Sequence, residues 1–148
     1  YVQALLDLIL DYNISNKTQV SSKLIYSNIE HSKKYDSYNS GGLNIMIARI
    51  LPFGTLTASA THLTNVYDAK KFTVSTMRDR KDKSLVTSLT LTGDINQLFP
   101  FFKNINEDNN FFYTLSFRES NVNSNISSYE IKRSFKTIGI SKRINFNE

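Results

Sequence analysis

Apolar and polar residues alternate one by one in the last third of the chain, and this pattern constrains the fold more than any other feature of the sequence. Two runs show the alternation most clearly: Phe111, Tyr113, Leu115 and Phe117, and later Ile138, Ile140, Ile144 and Phe146. A repeat of two places the apolar side chains on one face of a β-strand and the polar ones on the other. An apolar stripe opposite a polar stripe, closed by a terminal aromatic strand, is typical of a transmembrane β-barrel.

The same alternation recurs along most of the chain and predicts about seven antiparallel strands in one all-β segment over residues 1–148. The predicted strands are Val2–Asn13, Thr18–Asn28, Leu43–Leu51, Thr55–Leu63, Ser84–Thr92, Asn110–Glu119 and Ile131–Phe146. The first of these has a competing interpretation as an amphipathic helix, because its Ala and Leu content also suits a helix.

The connections between these strands differ in length in a way that predicts the orientation of a barrel. Ser15–Lys17 and Pro52–Gly54 are short turns, whereas Glu30–Gly42, Thr64–Lys71 and Ser120–Ser128 are long and polar. Outer-membrane barrels have short periplasmic turns and longer extracellular loops. Complete bacterial barrels usually have an even number of strands, so the odd count of about seven indicates that the chain is the C-terminal portion, of about seven or eight strands, of a larger up-and-down barrel. It is expected to be about half of that barrel.

The composition excludes several classes of function. The chain has no cysteine, which excludes disulfide frameworks, thiolate metal sites and cysteine nucleophiles. Its formal net charge is +5, but no nucleic-acid-binding module is recognisable. His31 and His62 lack metal-ligand spacing, and no catalytic motif appears, so neither an enzyme nor a cofactor is expected. A barrel protein must be exported, so the start at Tyr1 is expected to be internal or processed.

The alternation also assigns side chains to the two faces of a barrel. The residues expected to face lipid are Leu85, Leu89, Leu91, Phe111, Tyr113, Leu115 and Phe117. The charged residues of the opposite parity that could line a polar lumen are Asp7, Asp11, Lys23 and Arg118. In the alternative interpretation these four lie on the surface of a soluble sheet. Lys136 and Lys142 share the parity of the apolar residues, so we expect them near the membrane interfaces, where a lysine costs little.

Two further groups of residues stand out. Ile140, Ile144 and Phe146 are similar to the terminal strand that the barrel-insertion machinery reads, although an ordinary sheet strand has the same pattern. The residues of a basic cluster precede the clearest strand of the middle region: Arg78, Arg80, Lys81 and Lys83. This cluster could contact substrate or lipopolysaccharide at the outer rim, or be a solvated strand end or loop.

Several short motifs between Phe72 and Phe146 occur in an order that resembles a known family. They are Arg78-Asp79-Arg80-Lys81-Asp82-Lys83-Ser84-Leu85, Phe99-Pro100-Phe101, Leu115-Ser116-Phe117-Arg118-Glu119-Ser120-Asn121-Val122, Tyr129-Glu130-Ile131-Lys132-Arg133 and Ile140-Ser141-Lys142-Arg143-Ile144-Asn145-Phe146. Together they resemble the C-terminal barrel of the surface lipoprotein assembly modifier family. The resemblance implies a barrel of about fourteen strands behind a periplasmic helical-repeat domain.

The resemblance also implies a function, which is the delivery of lipoproteins or some secreted proteins across the outer membrane of a Gram-negative bacterium. The implied partners are membrane lipid and lipopolysaccharide, the barrel-assembly machinery and the translocated protein, with no nucleic acid. Two alternatives stay open at this point: a passive porin-like channel, and a soluble β-sandwich that serves as a binding module. Solvent exposure of Phe111, Tyr113 and Phe117 is expected to separate the barrels from the sandwich.

Overall fold

A computed structural model describes residues 2–32, 37–72, 77–99, 101 and 111–142. For residues 2–3, 68–72 and 77–79 the description covers the backbone alone. Those residues form one antiparallel sheet in which each strand pairs with the next along the chain. The strands are β1 (Val2–Ser15), β2 (Thr18–Glu30), β3 (Tyr38–Leu51), β4 (Gly54–Phe72), β5 (Met77–Asp94), β6 (Phe111–Ser124) and β7 (Ile131–Lys142). A short helix, α1 (Ile95–Leu98), follows β5, and a 3-10 turn, Ser127–Tyr129, precedes β7.

The all-β, up-and-down prediction is confirmed, and the described residues form seven strands, the number predicted. The first segment is a strand and not a helix, since Val2–Asn13 pairs along its length with β2. The sheet is open, with β1 and β7 as its edges in the part of the chain that the structure describes. An all-β fold is therefore established, whereas closure into a barrel remains a proposal.

The predicted long loops are partly wrong, because the strands run further than the alternation does. Thr64–Lys71 lies inside β4, which has 19 residues, and Ser120–Ser124 belongs to β6. Tyr38–Gly42 likewise belongs to β3. Strand pairing is made by backbone groups, so a polar stretch continues a ladder as well as an apolar one. The short turns are confirmed, since two residues join β1 to β2 and two join β3 to β4.

One face of the sheet is apolar and exposed. On the inner strands the side chains of this apolar face include Leu24, Leu43, Ile45, Ile47, Leu85, Leu89, Leu115 and Phe117, all of them exposed. Register partners such as Leu89 and Phe117 place them side by side on one surface. A continuous apolar surface of this kind is rare on a soluble monomer and marks an interaction with protein or membrane.

The opposite, polar face is less accessible than the apolar face. Its central strands carry many serine and threonine side chains, which are joined across strands by Ser59–Ser88 at 2.7 Å and Thr90–Ser116 at 3.2 Å. Ser21, Ser27 and Ser40 on this face are buried. No second layer covers either face within the described residues, so the difference in exposure indicates that the sheet curves with its polar face on the inside.

The apolar stripe crosses the sheet diagonally. On β1 it runs from Leu6 to Tyr12, and on β6 from Phe111 to Phe117, so its midpoints are Ile9 and Thr114. The registers of five successive strand pairs place Ile9 level with Ser120, six residues from Thr114. Between these two strands, six residues rise about 20 Å and five strand spacings cover about 24 Å, so the line that joins the two midpoints is inclined by about 40° to the perpendicular of the strands. On β5 the midpoint of the stripe is Ser88, level with Arg118, so four of the six residues of displacement lie between β5 and β6.

Candidate functional site

The residues expected to face lipid all lie on the apolar face, but they differ in exposure. Leu85, Leu89, Leu115 and Phe117 are exposed, while Leu91 and Phe111 are half-buried. Tyr113 is only 4% exposed, so the expectation of an exposed side chain is wrong for this residue.

Tyr113 is buried because two glycines leave room for its ring. It is opposite Gly93, and its hydroxyl donates to the backbone oxygen of Phe53 in the β3–β4 turn. A Cβ added to Gly54 or Gly93 would lie 2.7 or 2.9 Å from that hydroxyl. The tyrosine therefore lies across both glycines, an aromatic ring covering backbone that has no side chains of its own. Gly54 also has a φ of +149°, which only glycine adopts freely.

The terminal strand is only partly described. Ile140 is exposed on the apolar face of β7, and Ile144 and Phe146 lie outside the described residues. Lys136 is opposite Phe117 at the end of the apolar stripe, since the next pair is Glu119 and Ser134. The Nζ atom of Lys142 is 5.3 Å from the centre of the Phe111 ring.

The four lumen candidates share the polar face but do not form one site. Asp7 and Lys23 make a salt bridge between β1 and β2. Asp11 and Arg118 are exposed, on strands near opposite edges of the sheet. The second carboxylate oxygen of Asp7 is buried without a hydrogen-bond partner, beside the open edge of β1.

The predicted basic cluster divides between the two faces because its members alternate along β5. Lys81 and Lys83 are exposed on the apolar-face side, beyond Leu85, where the exposed apolar stripe on β5 ends. Arg80 lies on the polar face, half-buried and paired with Asp82. For Arg78 the structure describes the backbone alone. The cluster is thus neither a loop nor a single basic patch.

Arg80 is the centre of the most elaborate side-chain arrangement in the described residues, which we call the rim stack: Tyr38, Tyr67, Arg80, Asp82 and Tyr129. The guanidinium carbon of Arg80 is 4.1 Å from the centre of the Tyr67 ring and 3.6 Å from that of Tyr129. The Tyr67 and Tyr38 rings are 5.0 Å apart. The rim stack therefore spans β3, β4, β5 and the β6–β7 connection, on the polar face at the end opposite the short turns.

Asp82 fixes the guanidinium of Arg80 in the rim stack. Asp82 is 3% exposed, and its two carboxylate oxygens share the N–H of Nε of Arg80, at 3.1 and 2.9 Å, while Nη2 donates to one of them. Burial alone would raise the pKa of Asp82, but hydrogen bonds from Arg80 and Ser124 hold it below its ordinary value. Burial raises the pKa of Tyr67 to about 12. An arginine held by a carboxylate between aromatic rings is a rigid group.

The connection between β6 and β7 is attached to β5 beside the rim stack. The backbone nitrogen of Lys81 donates to Oδ1 of Asn125 at 2.8 Å, and the nitrogen of Asn125 donates to the oxygen of Lys81 at 3.2 Å. Ile126 is buried, and the nitrogen of Tyr129 donates to its oxygen at 3.0 Å. These bonds bring the Tyr129 ring onto Arg80, so the connection lies over the polar face.

The ionisation of Asp82 predicts how the stability of the rim stack depends on pH. Because its pKa is lowered in the folded state, its contribution is complete above the ordinary pKa of 3.8 and is lost as the pH falls through the folded value. We expect Asp82→Asn to lower the free energy of unfolding by a constant amount from pH 5 to 8 and by less below pH 4. Urea titrations at each pH measure this, with Asp11→Asn, at an exposed carboxylate, as the control. A difference that does not shrink in acid would contradict the role of the Asp82 charge.

Metal and helical membrane sites are not found in the described ranges. Within residues 2–32, 37–72, 77–99, 101 and 111–142, no group of three or more His, Asp or Glu side chains could hold a metal ion. Over the same residues, no helix has the length and apolar character needed to cross a bilayer.

Comparison with known proteins gives no relative from which a function could be carried over. No protein-family model, no curated protein and no solved structure matches the chain.

Proposed function

We propose that the seven strands form part of a transmembrane β-barrel in the outer membrane. The observation that carries this proposal is the exposed apolar stripe and its diagonal course. A lipid bilayer has flat boundaries, so the apolar stripe of a barrel with tilted strands must be displaced from one strand to the next. Transmembrane barrels tilt their strands by about 35–45°, and the inclination of about 40° lies in this range. In a soluble sheet, nothing requires the exposed apolar residues to follow such a diagonal course.

The direction of the edge strands bears on how the proposed barrel closes. With seven antiparallel strands, β1 and β7 run in the same direction. Direct closure would therefore require a parallel pair. A barrel of antiparallel pairs alone requires an odd number of additional strands between β7 and β1. We propose that further strands occupy both edges, which would also place a neighbour beside the unpaired oxygen of Asp7.

We propose further that the polar face lines a passage for lipoproteins or secreted proteins. The polar face and its curvature support a passage, and the motifs between Phe72 and Phe146 that resemble the lipoprotein-delivery family support this class of cargo. A passive porin-like channel is the second candidate, favoured by the many serine and threonine hydroxyl groups along the central strands. Release of a lipoprotein from proteoliposomes, compared with the diffusion of sugars into them, would separate the two.

Two neighbouring residues test the proposed membrane contact directly. The chain has no tryptophan, so a single introduced one is a clean fluorescent reporter. We expect brominated lipid to quench Leu115→Trp, on the apolar face, whereas an aqueous quencher reaches Thr114→Trp, on the polar face. The two positions are adjacent on β6, so they differ in face and hardly in depth. Equal quenching of both variants, or no quenching by lipid, would overturn the membrane proposal.

A further inference from the structure

We propose that the β6–β7 connection narrows the passage, and that the stack of Tyr129 on Arg80 holds it in place. This inference rests on the proposed barrel, because the polar face lines a passage only in that architecture. It assigns the residues that limit the size of what passes.

The first observation is that the Arg80 side chain lies on the polar face. Along β5 its side chain has the parity of Asp82 and Ser84, and Asp82 is in register with Asn65 and Ser124 on the polar face. Lys83, which is exposed on the other face, follows the end of the apolar stripe. The rim stack therefore lies inside the curved sheet, just beyond the proposed membrane boundary and at the mouth of the passage.

The second observation is that the Tyr129 ring lies on Arg80. A connection that pointed away from the sheet would leave Tyr129 in solvent, but its ring centre is 3.6 Å from the guanidinium carbon of Arg80. The connection is also fastened at its start by the two hydrogen bonds between Asn125 and Lys81. The connection is thus fastened at its start to β5, in the plane of the sheet, and at its end the Tyr129 ring lies over the polar face. In the proposed barrel this ring occupies space that the passage would otherwise have.

The contacts within the rim stack require an arginine at residue 80 to hold the Tyr129 ring in its position. A guanidinium held by a carboxylate presents its flat faces to aromatic rings, which the compact ammonium group of a lysine cannot do. Asp82 supplies that carboxylate from the same strand, and Tyr67 covers part of the guanidinium from β4. Removal of the Tyr129 ring deletes the contact of the connection with Arg80 and leaves the Arg80–Asp82 pair intact.

The experiment compares Tyr129→Ala with two control variants in the intact protein. Tyr129→Phe keeps an aromatic ring, and Ser128→Ala changes an exposed neighbour in the same turn. Conductance is measured in planar lipid bilayers, and hydrogen exchange of the Tyr129 and Glu130 amides is measured in detergent. We expect Tyr129→Ala to raise the conductance and to make both amides exchange about fivefold faster. Ser128→Ala should behave as the wild type, and Tyr129→Phe, which keeps a ring on Arg80, should be closer to the wild type than Tyr129→Ala in both measurements.

The two measurements separate failure of this inference from failure of the proposed function. Faster exchange with unchanged conductance would overturn the inference, since the connection would then be attached outside the passage. Unchanged exchange in Tyr129→Ala would overturn it as well, because the stack would not hold the connection. A wild type without conductance in which Leu115→Trp is not quenched by lipid would overturn the proposed function and, with it, the passage. Conductance that rises in Tyr129→Ala alone, with faster exchange, supports the inference.

Discussion

Replacement of Leu115 by arginine is expected to lower the free energy of unfolding from a lipid bilayer by about 2–4 kcal/mol. Leu115 is near the middle of the apolar stripe on β6, with Leu91 and Ile138 as its register partners. In the proposed barrel a guanidinium at that depth would leave water for hydrocarbon, and neither register partner is an acidic side chain that could compensate its charge. Urea unfolding of the protein from vesicles measures the loss.

Thr114→Arg is the matched control for that substitution. Its side chain lies on the polar face beside Thr92 and Gly139, so we expect a loss of less than about 1 kcal/mol. Equal losses in the two variants would contradict a lipid-facing apolar stripe. A larger loss for Thr114→Arg would indicate that the polar face is the packed one, which would reverse the proposed orientation of the sheet.

The face of each strand could be predicted from the sequence, whereas the length of each strand could not. Alternation fixes which side chains share a face, and Phe111–Phe117 has the predicted parity along its whole length. Alternation ends at the boundary of the apolar stripe, but the backbone ladder does not, so β4 and β5 continue through polar residues such as Thr64 and Lys83. The predicted loops were placed where the pattern stopped and not where pairing stopped.

The candidate site depends on contacts that sequence patterns do not encode. The sequence pattern places Arg80 in a basic cluster, whereas its ion pair with Asp82 is seen only in the structure. Tyr129 is distant in sequence and reaches Arg80 only because β6 returns beside β5. The two-residue spacing of Arg80 and Asp82 on a strand was the one available signal, since such residues lie on the same face.

The burial of Tyr113 also depends on contacts that the sequence pattern does not encode. Its parity placed it correctly on the apolar face, but its burial depends on the small size of Gly54 and Gly93, which come from other strands. A glycine within a strand often marks the close approach of another group. Which group approaches could not be inferred before the register of β5 and β6 was known.

The contact of Tyr113 with its glycines leads to the second large expected effect. Gly93→Ala should lower the free energy of unfolding by about 1–3 kcal/mol, because a side chain at this position overpacks the joint between three strands. The added Cβ would lie 2.6 Å from the backbone oxygen of Phe53 and 2.9 Å from the Cα of Gly54, and it would displace the Tyr113 hydroxyl.

Gly139→Ala is the control, since a Cβ there has no atom within 4 Å, and alanine in a strand is favoured over glycine by about 0.5–1 kcal/mol. Unfolding of both variants by urea gives the comparison, and Tyr113→Phe, which removes only the hydrogen bond to Phe53, should lose about 1 kcal/mol. If Gly93→Ala is as stable as the wild type, the aromatic ring does not lock the β3–β4 turn to β6, and the burial of Tyr113 needs another cause.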